Sequence, residues 1–218
     1  MTRNSVFISG GTGYLGRAVG AQLIERGHQV LALARKGSEH KVPAGAIAVP
    51  GDALNAATFS ARLPEAGTLV HLTGTPHPAP WKEREFRAID QASLRASAQA
   101  AAATHIGHFV YVSVAHPAPT MKAYIAVRRE CEALLEELGL TRTILRPWYV
   151  LGPGHNWPRL LQPAYRLMER TSRFREGARR LGLVTLQEMV SALVWAVENP
   201  PDRLRVLDVP AIRAVAAR

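Results

Sequence analysis

Residues 6–16 read Val-Phe-Ile-Ser-Gly-Gly-Thr-Gly-Tyr-Leu-Gly. A short apolar run enters a cluster of glycines, and a helical pattern follows. Gly10, Gly13 and Gly16 fall in a G-x-x-G-x-x-G spacing. A chain leaving a strand here must turn sharply, present backbone N–H groups to an anion, and start a helix whose positive end faces that anion. A side chain at any of the three positions would obstruct the turn, the approach of a pyrophosphate, or the packing of helix on strand. Glycine triplets alone carry little weight. Strand before and helix after, within one βαβ unit, is the context that reads as a dinucleotide site rather than a structural turn. Thr12 adds a hydroxyl that can tie the loop, and Tyr14 and Leu15 open the helix beside the phosphates.

The pattern continues outward from this turn. Leu15, Val19 and Leu23 recur at helical spacing, with Ala18 on the same side, and Gly27 follows as a helix stop. Gln29 to Ala34 reads as a second strand, and Arg35 and Lys36 come directly after it. An acidic residue at this position would bond a ribose 2′-hydroxyl, whereas a basic one suits a 2′-phosphate. Arg35, with Lys36 assisting, therefore points to NADP before NAD; an ordinary basic loop is the alternative. Ala46 to Val49 is a third strand, ending at Gly51-Asp52-Ala53, where a carboxylate can accept from an adenine amino group or cap the next turn. A weak helix is expected over Asn55 to Leu63. The strand Leu69 to Leu72 ends in Thr73-Gly74-Thr75, small residues that let the chain pass close to a cofactor ribose. His71 alternates within that apolar run and reads as a packed, hydrogen-bonded histidine.

Trp81 to Thr104 reads as one long helical segment. Phe109 to Val112 is a strand ending at Ser113, and a helix runs through Tyr124 to Leu138 with Val127, Cys131, Leu134, Leu135 and Leu138 as its apolar stripe. Thr143 to Leu145 is the next strand, followed by Arg146-Pro147-Trp148. Short strands alternating with helices predict an α/β fold: a Rossmann-type, doubly wound parallel sheet with helices on both faces. The expected organisation is a Rossmann core over residues 1–150. Residues 151–218 form a small C-terminal region that completes the same domain, caps the sheet's carboxyl edge and lines a substrate pocket. In that region Trp157 to Met168 and Leu186 to Glu198 read as helices, and Leu181 to Thr185 and Leu204 to Val209 as strands. His77, Trp81, Trp148, His155 and Trp157 are the candidate pocket lining.

Composition bounds the remaining classes. The chain has 218 residues, 47% hydrophobic content and 20% charged residues, enough for one sizeable core and against global disorder. One cysteine, Cys131, excludes an internal disulfide and a cysteine-rich metal site; no metal is expected. No basic-then-apolar leader opens the sequence and no apolar run approaches the length of a membrane span, so the expectation is a soluble, cytoplasmic protein. The net charge of +10 favours anionic partners. Between Arg159 and Arg180 seven arginines face Glu169 and Glu176. Such a run reads first as a solvated helix face and second as an anion-binding surface. Aromatic residues do not interleave with the arginines and no nucleic-acid module is recognisable, which argues against a nucleic-acid partner. The oligomeric state is left open.

Taken together, Gly-Gly-Thr-Gly-Tyr-Leu-Gly, Gly51-Asp52, Ser113 after a strand, Tyr124 on the next helix, and Arg146-Pro147 with Gly152-Pro153-Gly154 resemble the short-chain dehydrogenase/reductase superfamily. The resemblance is to its extended and atypical branches, sugar-nucleotide epimerase-like and NAD(P)H-binding NmrA-like proteins. It covers nearly the whole chain. It implies a tyrosine, here Tyr124, that gives or takes the substrate proton, and a serine, here Ser113, that polarises the carbonyl. It also implies a lysine four residues beyond the tyrosine that lowers the phenol's pKa and holds the nicotinamide ribose. A phenol with an ordinary pKa near 10 is a poor base at neutral pH, and a nearby cation brings it into range. Here that fourth residue is Arg128, and Asp90 stands where the extended members place an asparagine. The implied cofactor set is Gly10, Thr12, Gly13, Tyr14, Leu15, Gly16, Arg35, Lys36, Asp52, Ala53, Thr73, Gly74, Thr75, Tyr124, Arg128 and Pro147. Two function classes follow: an NADP-dependent oxidoreductase or epimerase-like enzyme acting on a small carbonyl or alcohol substrate, neutral or anionic, or a non-catalytic NADP-binding sensor or assembly factor.

Overall fold

The computed structural model describes residues 4–118, 120–151 and 181–217. Nine strands are described: β1 (Ser5–Ser9), β2 (Gln29–Ala34), β3 (Ile47–Pro50), β4 (Thr68–His71), β5 (His108–Val112), β6 (Arg142–Leu145), β7 (Tyr149–Leu151), β8 (Leu183–Thr185) and β9 (Leu204–Leu207). Seven of them form one sheet in the order β3-β2-β1-β4-β5-β6-β9, and every neighbouring pair is parallel. β7 and β8 form a separate parallel pair. The central strands are buried on both faces, which is why they read as continuous apolar runs. Side chains alternate between faces. Val6 and Ile8 enter one core and Phe7 the other.

Two helical layers cover the sheet. On one face lie α1 (Tyr14–Glu25), α5 (Leu186–Glu198) and α6 (Val209–Ala216), whose Val19, Leu23, Met189, Leu193, Val197 and Ile212 pack on Val30, Val70 and Val110. On the other lie α3 (Ala92–Ala103) and α4 (Lys122–Glu137), with Leu94, Ala98, Val127, Cys131 and Leu135 against Leu31, Leu69, Phe109 and Tyr111. This is the α/β Rossmann-type, doubly wound sheet that the alternation of elements predicts.

The structure differs from the sequence reading in several places, one of them the unforeseen strand β7. The long helix expected from Trp81 to Thr104 is a short turn, α2 (Glu83–Glu85), then a π-helical segment (Phe86–Gln91), then α3. The widened turn buries both Phe86 and Asp90. Residues 55–63 form two 3-10 turns (Ala56–Thr58 and Ser60–Arg62) instead of a weak helix, and of these residues Phe59 and Leu63 alone are buried. β9 stops at Leu207 because Asp208 accepts the Ala211 N–H at 3.0 Å and caps α6, with a proline in the first turn. The C-terminal segment thus supplies the seventh strand and two helices of one face. The helix expected over Trp157 to Met168 lies outside the described residues.

His71 and His108 are buried within the sheet. His71 meets Ser97 Oγ through Nδ1 at 3.1 Å, and its ring stacks on Phe109. Burial, with Arg128 adding, lowers its pKa from 6.5 to about 3; burial, with Arg205 adding, lowers that of His108 to about 4. In the unfolded chain both imidazoles protonate near 6.5. Below that pH the unfolded state binds more protons, so stability is present at neutral pH and is lost as pH falls. Each imidazole removes about 2 kcal/mol between pH 7 and pH 5 by this linkage. Denaturant titrations at the two pH values should show the loss, and His71→Asn should reduce the difference between them. An equal acid difference in His71→Asn would exclude His71 as a source.

Candidate active site at the sheet switch point

The winding direction of the sheet reverses between β1 and β4, and ligands of open α/β sheets bind at the carboxyl ends of strands at such a point. The glycine turn sits there. Gly10 adopts φ +83°, and a Cβ on it would lie 2.9 Å from the Leu72 carbonyl carbon and 3.0 Å from Thr73 N. A Cβ on Gly16 would overlap the Gly10 carbonyl oxygen. Gly13 is different: its Cβ would lie 3.1 Å from that oxygen and meet nothing else within 4 Å. Gly13 is exposed and donates to Gly10 O at 3.0 Å. Helix α1 starts here with no side-chain cap and no acidic residue in its first turn. Its backbone donors are thus available to an anion, and the turn fits a pyrophosphate.

Around this cradle, Ser9 and Thr73 share a hydroxyl hydrogen bond of 2.7 Å across the ends of β1 and β4. Arg35 and Lys36 are exposed at the carboxyl end of β2, in a turn closed by Ser38 N–H on the Arg35 carbonyl at 2.8 Å. Asp52, exposed after β3, accepts the Leu54 N–H at 3.0 Å, and its own N–H donates to Thr58 Oγ1 at 2.9 Å. Ala53 is half-buried beside it.

The Tyr124 and Arg128 side chains come from α4, on one face at i and i+4. The Arg128 guanidinium carbon lies 4.8 Å from the centroid of the Tyr124 ring, and Phe86 packs against that ring at 4.8 Å between centroids. Arg128 is buried. Its Nη2 donates to Asp90 Oδ1, and its Nη1 donates to Tyr111 Oη at 3.1 Å and to the Val112 carbonyl at 2.9 Å. Asp90 Oδ2 accepts both the Thr75 N–H at 3.0 Å and the Thr75 hydroxyl at 2.5 Å. A Cβ on Gly74 would meet Arg128 Nη2 at 2.9 Å and Asp90 Oδ1 at 3.0 Å. The ion pair therefore lies directly under the loop that follows β4.

The electrostatics follow from burial and from this pair. Burial raises the pKa of Tyr124 above 10, Arg128 offsets part of the rise and Asp90 adds to it. Tyr111 is raised further, by burial first, against the lowering effect of Arg128. Burial works against the charged Arg128, and the Asp90 carboxylate with the hydrogen bond to Tyr111 outweighs it, so the guanidinium stays cationic. Cys131 is buried, its thiol pushed up to about 11 by burial, and it is chemically quiet at neutral pH.

Ser113, just beyond β5, donates its hydroxyl to Glu132 Oε1 at 2.5 Å. Glu132 is also held by Arg146, through Nε at 3.1 Å and Nη2 at 2.5 Å. His116 Nε2 stands 3.9 Å from the same carboxylate. Burial and Arg146 lower the His116 pKa, and Glu132 opposes them. Ala115, His116, Arg146, Val206 and Asp208 line an open cleft here. Pro147 is buried, and its carbonyl accepts the Ala115 N–H at 2.9 Å.

The structure thus brings Tyr124, Arg128 and Gly74 together and sets Ser113 in a separate carboxylate cluster. His77 and Trp81 are exposed, and Trp148 is half-buried. His155, Trp157 and the arginine-rich stretch from Arg159 to Arg180 lie outside the described residues. Sequence reasoning noted Asp90 but not its bond to Arg128, and it missed Glu132 and Tyr111. Glu132 carried a signal, since it lies four residues beyond Arg128 on the same helix. Among the described residues no group of three His, Cys, Asp or Glu could hold a metal ion, and no helix is long and apolar enough to cross a membrane.

Residues 10–177 match the NAD(P)H-binding family. No curated protein matches the chain in sequence. Among solved structures, it is similar to the Bordetella bronchiseptica enzyme WbmH in complex with NAD+, at 21% identity and a TM-score of 0.70, over 95% of this chain and 75% of that one. A short-chain dehydrogenase/reductase superfamily protein from Agrobacterium tumefaciens with bound NAD is 17% identical, with a TM-score of 0.69 over 96% and 81% of the two chains. UDP-N-acetylglucosamine 4-epimerase from Bacillus cereus is also 17% identical, with a TM-score of 0.68 over 94% and 76%. The glycine cradle, the sheet order and the family match agree: this chain belongs to the NAD(P)H-binding family and has the fold of the extended short-chain dehydrogenase/reductase proteins.

Proposed function

We propose that the protein binds NADP and is an oxidoreductase or epimerase-like enzyme for a small carbonyl or alcohol substrate, with Tyr124 as acid/base. The observation that carries this reading is the contact of the Arg128–Asp90 pair with Gly74, since it joins the tyrosine's electrostatic partner to the cofactor edge of the sheet. In this reading Gly10, Thr12, Gly13, Tyr14, Leu15 and Gly16 hold the pyrophosphate, and Arg35 with Lys36 takes the 2′-phosphate. Asp52 and Ala53 border the adenine, Thr73, Gly74 and Thr75 the ribose, and Tyr124, Arg128 and Pro147 the nicotinamide end. A bound nicotinamide supplies or accepts hydride at the substrate carbon. Tyr124 moves the proton at the substrate oxygen, Arg128 provides the field around the phenol, and Ser113 polarises the oxygen when its hydroxyl leaves Glu132. A sugar nucleotide is one substrate class in keeping with this reading, given the fold shared with a UDP-sugar epimerase.

A second reading, a non-catalytic NADP-binding sensor, is favoured by one feature: both candidate partners of Tyr124 are already engaged, Arg128 by Asp90 and Ser113 by Glu132. Turnover separates the two. In a screen of carbonyl, alcohol and sugar-nucleotide substrates the enzyme reading expects cofactor oxidation or reduction, and Tyr124→Phe should lower it roughly 10²–10⁴-fold. Binding without turnover across the screen would leave the sensor.

Calorimetric titration should show NADP binding more tightly than NAD by roughly ten- to a hundredfold, the worth of one charge-assisted phosphate contact. Arg35→Ala should remove the difference; equal affinities in the wild type would overturn the assignment. Gly13→Ala should fold normally, because its Cβ has only the Gly10 oxygen at 3.1 Å to avoid, yet bind cofactor poorly. Unchanged binding by the folded variant would exclude the phosphate cradle.

A further inference from the structure

We infer that Asp90 is a positioning residue that closes Arg128 into a buried ion pair and thereby keeps Tyr124 a proton donor. On the reading of Tyr124 as acid/base given above, the site is built for carbonyl reduction rather than for alcohol oxidation.

The geometry carries the inference. Asp90 is buried on the π segment, and its two oxygens accept three hydrogen bonds, two from Thr75 and one from Arg128. The two terminal nitrogens of Arg128 are engaged by Asp90, Tyr111 Oη and the Val112 carbonyl, while its buried Nε has no hydrogen-bond partner among the described residues. The Arg128 guanidinium carbon lies 4.8 Å from the centroid of the Tyr124 ring, and the charge and hydrogen bonding of Arg128 lower the phenol's pKa by less than burial raises it. A cation stabilises a phenolate best when its own charge is not cancelled nearby. Here the opposite charge is one hydrogen bond away. The titratable and charged groups that act on Tyr124 are Arg128 and Cys131 from its own helix, Asp90 from the π segment and Tyr111 from β5. Phe86 covers the ring with an apolar wall. With the pair nearly neutral, burial decides, and the phenol is held above its ordinary value. With a reduced nicotinamide bound as the hydride source, itself oxidised in the transfer, a phenol that keeps its proton would give it to the oxygen of a carbonyl, and a proton taken up from solvent would then restore the phenol. The reverse reaction needs a phenolate, which this arrangement disfavours.

The test reads the phenol directly, in the full-length protein without substrate or cofactor. Protein labelled at tyrosine Cζ with carbon-13 is titrated by NMR, and Tyr124→Phe assigns the resonance. Wild-type Tyr124 should show no ionisation up to pH about 10. Asp90→Asn keeps an acceptor for Thr75 but removes the charge, and it should lower the midpoint by about one unit or more. Because that variant strands a buried cation, Asp90→Asn/Arg128→Met, which removes both charges, is titrated alongside it and should show no such fall. Ionisation of wild-type Tyr124 below pH 9, or an unmoved midpoint in a folded Asp90→Asn variant, would overturn the inference. A titration that follows expectation while Tyr124→Phe leaves turnover intact would instead remove the acid/base reading and leave the role of Asp90 standing.

Discussion

Backbone packs on backbone at the junction of β1 and β4, and the rest of the molecule is arranged around that contact. Gly10 turns at a positive φ against Leu72 and Thr73, Gly11 fits over Ala32, and Gly16 fits over the Gly10 carbonyl. Each approach is closer than a side chain allows. Together they let α1 leave β1 at once and lie back on the sheet. The strands then grow in both directions from this seam, β2 and β3 to one side and β4, β5, β6 and β9 to the other. The helix start, the uncapped amides and the small residues after β4 therefore converge on one crevice.

The opposite wall of that crevice is polar for a reason other than stability. Breaking a buried ion pair costs about 3–5 kcal/mol, yet replacing the whole pair by apolar residues of similar size is often neutral or favourable. The pair of Asp90 and Arg128 thus adds little that leucines could not. Its location distinguishes it. It fills the space beneath Gly74, ties the π segment to β4 through Thr75, and reaches α4 and β5 through Arg128. Four elements are held in register by charge at the edge where a cofactor would lie, while the apolar cores on both faces of the sheet supply most of the folding energy.

Most of the fold was legible because parallel strands are buried on both faces. Val6 to Ser9 and Gln29 to Ala34 announce themselves as apolar runs ended by turn residues, and α5 shows its stripe of Met189, Leu193 and Val197 at helical spacing. The misreadings have local causes. Asp208 and Pro210 are a helix start signal, but they follow the apolar residues of β9 so closely that the run was read as strand through Val209. The π segment has no marker in sequence: Phe86 and Asp90 fit an ordinary helix equally well. The candidate site was legible as far as α4, since Tyr124 and Arg128 share a helix face by spacing alone. Their partner Asp90 lies 38 residues earlier. Only the packing of one helical segment against another brings it there, and no periodicity records that.

The charges are laid out differently at the two ends of the sheet's carboxyl edge. The chain carries a net charge of +10, and Arg35 and Lys36 stand exposed at one end of the crevice with α1 pointing its positive end between them and β4. Toward α4 the buried and half-buried charges are paired: Arg128 with Asp90, and Arg146 with Glu132. The exposed cations beside the start of α1 need little desolvation to meet an anion, whereas the paired charges at α4 offer no net charge to one. Helix α4 makes this division possible, because it places Arg128 and Glu132 four residues apart and sends one to the π segment and the other to Ser113 and Arg146. A change of charge at Arg128 acts on Asp90, Tyr111 and the loop at Gly74, whereas a change at Glu132 acts on Ser113 and Arg146, so one helix governs two separate charge clusters.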